Sequence, residues 1–328
     1  MNVRRVVPRD AIPSVDDPRF EAAYDGPADD EVVAVDLEGE ARAYPVRYLH
    51  YHEIVNDRIG ETAIAVTWCP LCGSAIAYDR CVGGGRVEGN SDESDESDAR
   101  RLTFGVSGKL ADDDLVMYDR ETESEWKQSS GVCFAGECEG RTLRVLPAAV
   151  TTWQRFREAP PGGESEASGP GDDPEPIDYD ADPYEAYFER DGFGLAAHRG
   201  VDGGRTWDRE DVAAKAVVLG IERDRDAVGF PLPAVERTGG VVAATVGDAD
   251  VVVFVADGVH AFENPGLSFE PADGGLFRAD GALWDGATGE SDDGRALSRL
   301  PARRLFAFAW QDDHGPDAFY GLSADGER

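Results

Sequence analysis

Long apolar runs are missing from this sequence. No stretch of about 18 uninterrupted apolar residues occurs, so no membrane-spanning helix is expected. Met1-Asn2-Val3-Arg4-Arg5 leads into Val6-Val7-Pro8-Arg9-Asp10 without the apolar core of a secretory signal, and the expected location is cytoplasmic. Cysteine is sparse: five residues in 328, an odd number at a density that excludes a disulfide framework. Lysine is scarce, and 32 basic residues face 66 acidic ones, a formal net charge of -34. A field of that sign repels phosphate, which excludes nucleic acid and anionic membrane as partners and leaves a small molecule or a protein. Cation buffering is one reading of the excess acid; the plainer one is the solvated surface of a halophilic protein. Gly83-Gly84-Gly85 runs into a polar insert and not into a helix, so no nucleotide cofactor is expected.

What is present is enough for real cores. The chain is 41% hydrophobic, has six tryptophans, and is long enough for about two domains. Short β-prone runs recur at residues 32–37, 41–44, 53–56, 63–68 and 74–78, with turn signals between them. The series resumes at 101–106, 115–118 and 143–146, followed by a short helix over 151–157 opening at a Thr cap. Residues 45–49 can make a helical turn. These signals predict a predominantly β (α+β) fold. Residues 81–101 are Gly-rich and then acidic, an exposed insert, and residues 159–176 read as a Pro/Gly/acid linker. The expected organisation is a β-rich domain over 1–158, a linker and connecting segment over 159–212, and a second β-rich domain over 213–328.

The second half resembles a worn copy of the first. With Pro45 laid on Pro231, Tyr44 meets Phe230, Ala41 meets Ala227, Glu40 meets Asp226 and Val35 meets Ile221. Tyr78 falls roughly on Phe262, Trp126 and Gly131 have the spacing of Trp284 and Gly289, and Leu146-Pro147 recurs as Leu300-Pro301. Where the first half has WCPLCGS, the second has Val255-Ala256-Asp257-Gly258. If the fold repeats without the cysteines, they are not needed for folding.

Chemistry concentrates in TWCPLCGSAIAY, residues 67–78. Cys69 and Cys72 follow an apolar strand, Pro70 blocks further pairing and Gly73 permits a tight turn, so both sulfurs should sit on a knuckle leaving a sheet. Such a pair supplies half of a tetrahedral zinc or iron site, or closes as a redox disulfide. No second CxxC completes it, since four residues separate Cys133 and Cys138. If residues 49–54 are extended, His50 and His52 share a face, which would let His52 join Cys69 and Cys72 and turn Glu53 away into a structural role. Two buried thiols beside a satisfied histidine is the competing structural reading.

Ser107-Gly108-Lys109 lacks the remainder of a phosphate loop. Lys109, Tyr118 and Arg120 are candidates for gripping an anionic substrate, though Tyr118-Asp119-Arg120 also suits a turn with a local ion pair. Asp112-Asp113-Asp114 could bind a hard cation, but the plainer reading is solvent-facing acid. Trp126 and Trp284 read as core aromatics.

IPSVDDPRF, EARAYPVRYLHYHEIVND, VTWCPLCGSAIAYDR, LTFGVSGKLADDDLVMYDRETESEW and DADPYEAY together resemble the bacterial and archaeal domain of unknown function 3179. The likeness spans most of the first half and extends to the ending near Phe306–Trp310. It brings no reaction with it, but marks His52, Glu53, Cys69, Cys72, Lys109, Tyr118, Arg120 and Trp126 as part of the shared pattern. It leaves out Cys81, Cys133, Cys138 and the acidic insert. The resulting expectation is a metal-binding protein holding zinc or iron through Cys69, Cys72 and His52. The alternatives are a thiol–disulfide oxidoreductase using the same cysteines, or a non-catalytic binding module.

Overall fold

The computed structural model describes residues 1–21, 24, 26–83, 100–158, 166–168 and 177–321. The acidic insert and nearly all of the expected 159–176 linker lie outside those residues. The fold is predominantly β, in mostly antiparallel sheets with a few short helices. Among the described residues no helix is long and apolar enough to cross a membrane.

The first half runs β1 (Val3–Arg5), β2 (Glu31–Leu37), β3 (Glu40–Pro45), α1 (Val46–His52), β4 (Ile54–Ile59), β5 (Thr62–Cys69) and β6 (Ser74–Asp79). It continues with β7 (Phe104–Ala111), β8 (Asp114–Asp119), β9 (Glu125–Lys127), β10 (Ala149–Thr152) and α2 (Trp153–Glu158). After α3 (Glu185–Glu189) and α4 (Gly194–Arg199) come β11 (Val217–Arg223), β12 (Asp226–Pro231), α5 (Leu232–Arg237), β13 (Val241–Val246), β14 (Ala249–Val255) and β15 (Val259–Glu263). The chain closes with β16 (Leu276–Ala279), β17 (Ala282–Asp285), β18 (Arg303–Phe306) and α6 (Ala307–His314).

The principal sheet has six antiparallel strands in the order β12-β11-β18-β6-β5-β4. It joins the halves, because β18 from the C-terminal part pairs with β6 through Arg304 and Ala75. The expected boundary near residue 213 therefore does not separate two independent sheets. Central strand β5 is buried on both faces, which is why it reads as a near-continuous apolar run and not as an alternation. Its pleat sends Ala65 and Cys69 into one core and Ile64, Val66 and Trp68 into another. Trp126 and Trp284 are both buried, as expected of core aromatics.

Residues 177–212 do not behave as a connector. Tyr187, Phe193, Leu195 and Val212 enter the same core as Cys69 and Cys72, so this segment covers the knuckle. The apolar residues that do this are spread among polar ones, which hides them from a composition-based reading.

Matching hydrogen bonds accompany the paired positions of the two halves. Gly131 N donates to Lys127 O at 2.8 Å, and Gly289 N to Asp285 O at 2.8 Å. Leu146 N donates to Ala77 O at 2.8 Å, and Leu300 N to Ala261 O at 3.0 Å. A Cβ on Gly131 would strike the Tyr78 ring at 2.8 Å, and one on Gly289 the Phe262 ring at 2.5 Å. Glycine is required at both places because an aromatic ring lies flush against the backbone.

Candidate metal centre

β5 and β6 form a hairpin whose last ladder pair is Cys69 with Ser74. The four residues between them make the knuckle, closed by Cys72 N to Cys69 O at 3.2 Å and Gly73 N to Pro70 O at 3.3 Å. Gly73 adopts φ 55°, and a Cβ there would lie 2.6 Å from the Phe306 ring. Both the left-handed backbone and the close ring demand glycine. Cys69 and Cys72 are buried and form no disulfide.

The third member of the group is Asp114. One ligand atom each from Cys69, Cys72 and Asp114 lies within 4.8 Å of the others, and all three residues are buried. The hairpin between β7 and β8 puts it there. Asp112 and Asp113 take φ 53° and 71°, the successive left-handed residues of a two-residue turn, and Ala111 pairs with Asp114. The triple-Asp run thus divides its labour, and the expectation that it faces solvent fails at two of three positions. Asp113 is buried against Arg4 from β1, and its carbonyl oxygen accepts from Cys72 Sγ at 3.5 Å. Asp114 starts β8 and turns inward.

Asp114 is only half satisfied. Its Oδ2 accepts the Ser129 backbone N–H at 2.7 Å, while Oδ1 is buried without a hydrogen-bond partner among the described residues. Burial pushes its pKa above the ordinary carboxylate range despite the opposing charge of Lys127. Lys127 in turn pairs with Asp313 of α6 at 2.5 Å, and burial is outweighed so that its ammonium stays charged. Burial also drives both thiols up, Cys72 well above its usual value.

Glu53 belongs to this neighbourhood too. It ends α1 in the left-handed region at φ 58°, with its N–H bonded to Leu49 O. A non-glycine residue in that region carries a cost of about 1 kcal/mol or more, and such residues cluster at functional sites. Burial, then the charge of Asp114, pushes its carboxyl up to about 8, so it carries a proton at neutral pH. Tyr184 sits close enough to feel both Glu53 and Cys69, and Tyr187 donates its O–H to Leu71 O at 2.6 Å.

His52 is elsewhere. Residues 46–52 are helical and not extended, so His50 and His52 do not share a strand face. The His52 ring nitrogens meet Pro13 O at 2.8 Å and Tyr179 Oη at 2.7 Å. Among the described residues the clustered donor set is Cys69, Cys72 and Asp114, and it does not include His52. Glu53, expected to face away from the cysteines, lies within the electrostatic reach of Asp114 and Cys69.

The three substrate-grip candidates are each engaged within the chain. Lys109 Nζ pairs with Glu125 at 2.5 Å, Tyr118 Oη donates to Asp10 at 2.8 Å, and Arg120 pairs with Asp16 at 2.5 Å. Arg9 lies over the Tyr118 ring at 3.4 Å. Two of these contacts are to the N-terminal arm, which they fasten to the β7–β8 hairpin. Cys81 is exposed, and Cys133 and Cys138 are buried in the core outside the clustered group. Nothing local in the sequence singles out Asp114, because three adjacent acids in an acidic chain look alike; the left-handed turn that separates their roles is visible only in the backbone.

The family model described as protein of unknown function (DUF3179) matches residues 9–318, nearly the whole chain, and the protein belongs to that family. No curated protein and no solved structure matches.

Proposed function

We propose that this protein binds one metal ion, zinc or iron, through Cys69, Cys72 and Asp114. The observation that carries the reading is the orphaned Oδ1 of Asp114, buried within 4.8 Å of donor atoms from two cysteines. A buried carboxylate oxygen without a partner costs about 1–3 kcal/mol, which a cation would relieve. Two sulfurs and one carboxylate suit a borderline-soft divalent ion, and three protein ligands leave a fourth position for water or substrate. Bound there, the ion would supply Lewis acidity.

The chain's own groups fit that role. Lys127 provides positive charge beside an anionic donor set, and Asp313 keeps it oriented. Glu53 offers a carboxylic acid that holds its proton near neutral pH, the property required of a general acid. Tyr187 and the 177–212 segment exclude bulk water by packing over the knuckle. Thiol–disulfide exchange is favoured less, because the attacking species is the thiolate and burial drives both thiols away from it.

Metal analysis of protein purified in high salt tests this directly. Near-stoichiometric zinc or iron in the wild type, lost in Cys69→Ser, Cys72→Ser and Asp114→Asn but kept in His52→Gln, is the expected pattern. Wild-type protein that takes up neither metal after anaerobic preparation and reconstitution sinks the reading. We also infer that the halves descend from one duplicated unit, supported by the recurring element order and matched hydrogen bonds, with the knuckle absent from the second copy.

A further inference from the structure

Behind the knuckle, on the opposite face of β5, lies a cleft of about 360 Å³. Trp68 and Cys69 are neighbours in the chain, yet the pleat sends the thiol toward Asp114 and the indole toward this cleft. The remaining walls include His50 from α1, Arg304 and Phe306 from β18, and Phe188 from α3.

Three polar groups along this cleft have unused capacity. Trp68 is 1% exposed, and its Nε1–H has no partner among the described residues. His50 holds Asp182 through Nδ1 at 3.1 Å, while its buried Nε2 has no partner among the described residues. Arg304 spends Nη1 on Gly73 O at 2.5 Å, but the closest carboxylate to Nη2 is Glu31 at 3.9 Å, beyond hydrogen-bond range. A buried indole N–H normally finds a partner, so its orphaning beside a guanidinium in a cleft points to a ligand.

The chemistry of that ligand follows from the donors and acceptors. Trp68 and Arg304 both donate, the guanidinium carbon lies 5.5 Å from the Trp68 ring centroid, and N–H donors beside a guanidinium suit a carboxylate. Burial lowers the His50 pKa and favours the neutral ring. With Nδ1–H directed at Asp182, its Nε2 is then an acceptor, suited to a hydroxyl. Phe188 and Phe306 offer apolar wall to the rest of the molecule. The cleft also carries Lys215, whose ammonium caps the carbonyls of Tyr187, Phe188 and Arg190, and the two carboxylates Glu31 and Asp182. Positive and negative lining charges balance, which suits a monoanion better than a phosphate dianion.

We propose that this cleft binds a small 2-hydroxycarboxylate with an apolar body, its carboxylate on Arg304 and the Trp68 indole N–H and its hydroxyl on His50 Nε2. The site stands independently of metal at Cys69, Cys72 and Asp114. Two hydrogen bonds tie its wall to the knuckle from behind: Phe306 N donates to Cys72 O at 2.7 Å, and Arg304 Nη1 to Gly73 O.

The test is a titration of the full chain with mandelate, following the indole ¹⁵N–¹H resonances, with the Trp68 signal identified by its loss in Trp68→Phe. Phenylacetate, which lacks the hydroxyl, and inorganic phosphate are titrated in parallel. The expected result is a saturable shift of the Trp68 resonance with mandelate, at least tenfold weaker binding in Arg304→Gln, and little response to phosphate. His50→Ala should fold, since His50 lies on a short helix at the cleft, and should abolish the preference for mandelate over phenylacetate. That variant decides the matter if Arg304→Gln does not fold. Binding that survives in the Cys69→Ser/Cys72→Ser protein supports the cleft even where the metal reading fails. The proposal is overturned if mandelate leaves the Trp68 resonance unmoved, if phosphate binds as tightly, or if His50→Ala retains the full preference.

Discussion

Lys127 Nζ and Asp313 Oδ1 meet at 2.5 Å, 186 residues apart in the chain and each with a side chain only 8% exposed. This contact brings the last helix of the chain to the candidate centre of the first half. Asp313 also accepts from Ser129 Oγ at 2.5 Å, the residue whose backbone N–H holds Asp114. Asp114, Ser129, Asp313 and Lys127 therefore form one network, and the C-terminal part of the chain helps build the centre.

Removing one partner of this buried pair should be costly. Lys127→Met leaves Asp313 and Asp114 without their counter-charge, and a loss of about 3–5 kcal/mol is expected. Chemical denaturation of Lys127→Met, Asp313→Leu and the double variant checks this. The double variant should recover a substantial part of the loss; additive losses would mean that the two side chains act separately.

Asp114→Asn should separate metal binding from stability. Burial disfavours the Asp114 carboxylate while Lys127 favours it, and an amide leaves a polar atom equally unpartnered, so in metal-free protein the substitution should shift stability by no more than about 1 kcal/mol. Added zinc should raise the melting temperature of the wild type and leave that of the variant unchanged. A variant that gains as much from zinc as the wild type would remove Asp114 from the ligand set.

Acid sensitivity should arise from the second half at His260. Its buried ring meets Ala256 O through Nε2 at 3.0 Å and Arg299 through Nδ1 at 3.2 Å. Burial, then the Arg299 charge, lowers its pKa from 6.5 to about 3. The unfolded chain therefore takes up a proton that the folded chain refuses. This contribution is complete above pH 6.5 and is lost progressively toward pH 3, at up to about 1.4 kcal/mol per pH unit. Urea denaturation between pH 7.5 and 4.5 should show a shallower decline for His260→Gln than for the wild type. Equal slopes would rule out His260 as the source.

Gly73→Ala should damage the knuckle through its backbone. A methyl group must tolerate φ 55° and displace a Phe306 ring 2.6 Å away, and a loss of at least about 1–2 kcal/mol is expected. Gly39→Ala provides the comparison: it has φ 81° but nothing within 4 Å, so only the backbone penalty applies. A smaller loss at Gly73 than at Gly39 would mean that the ring moves aside freely.

The predominantly β fold was legible in the sequence because strand runs and turn residues act locally, within a few positions of each other. The knuckle was legible for the same reason: Cys69, Pro70, Cys72 and Gly73 specify their own turn. The tertiary structure decided which donor joins them. His52 suits the set only if residues 49–54 are extended, and one helical turn removes it. Asp114 resembles solvated acid in the sequence, but two left-handed residues turn it inward, and Asp313, 186 residues from Lys127 in the chain, is held there by Lys127 and Ser129. Local propensity identifies the turn that presents the sulfurs. The charges that complete the centre are set by long-range packing, whose low dielectric gives the same carboxylate a different chemistry inside than on the surface.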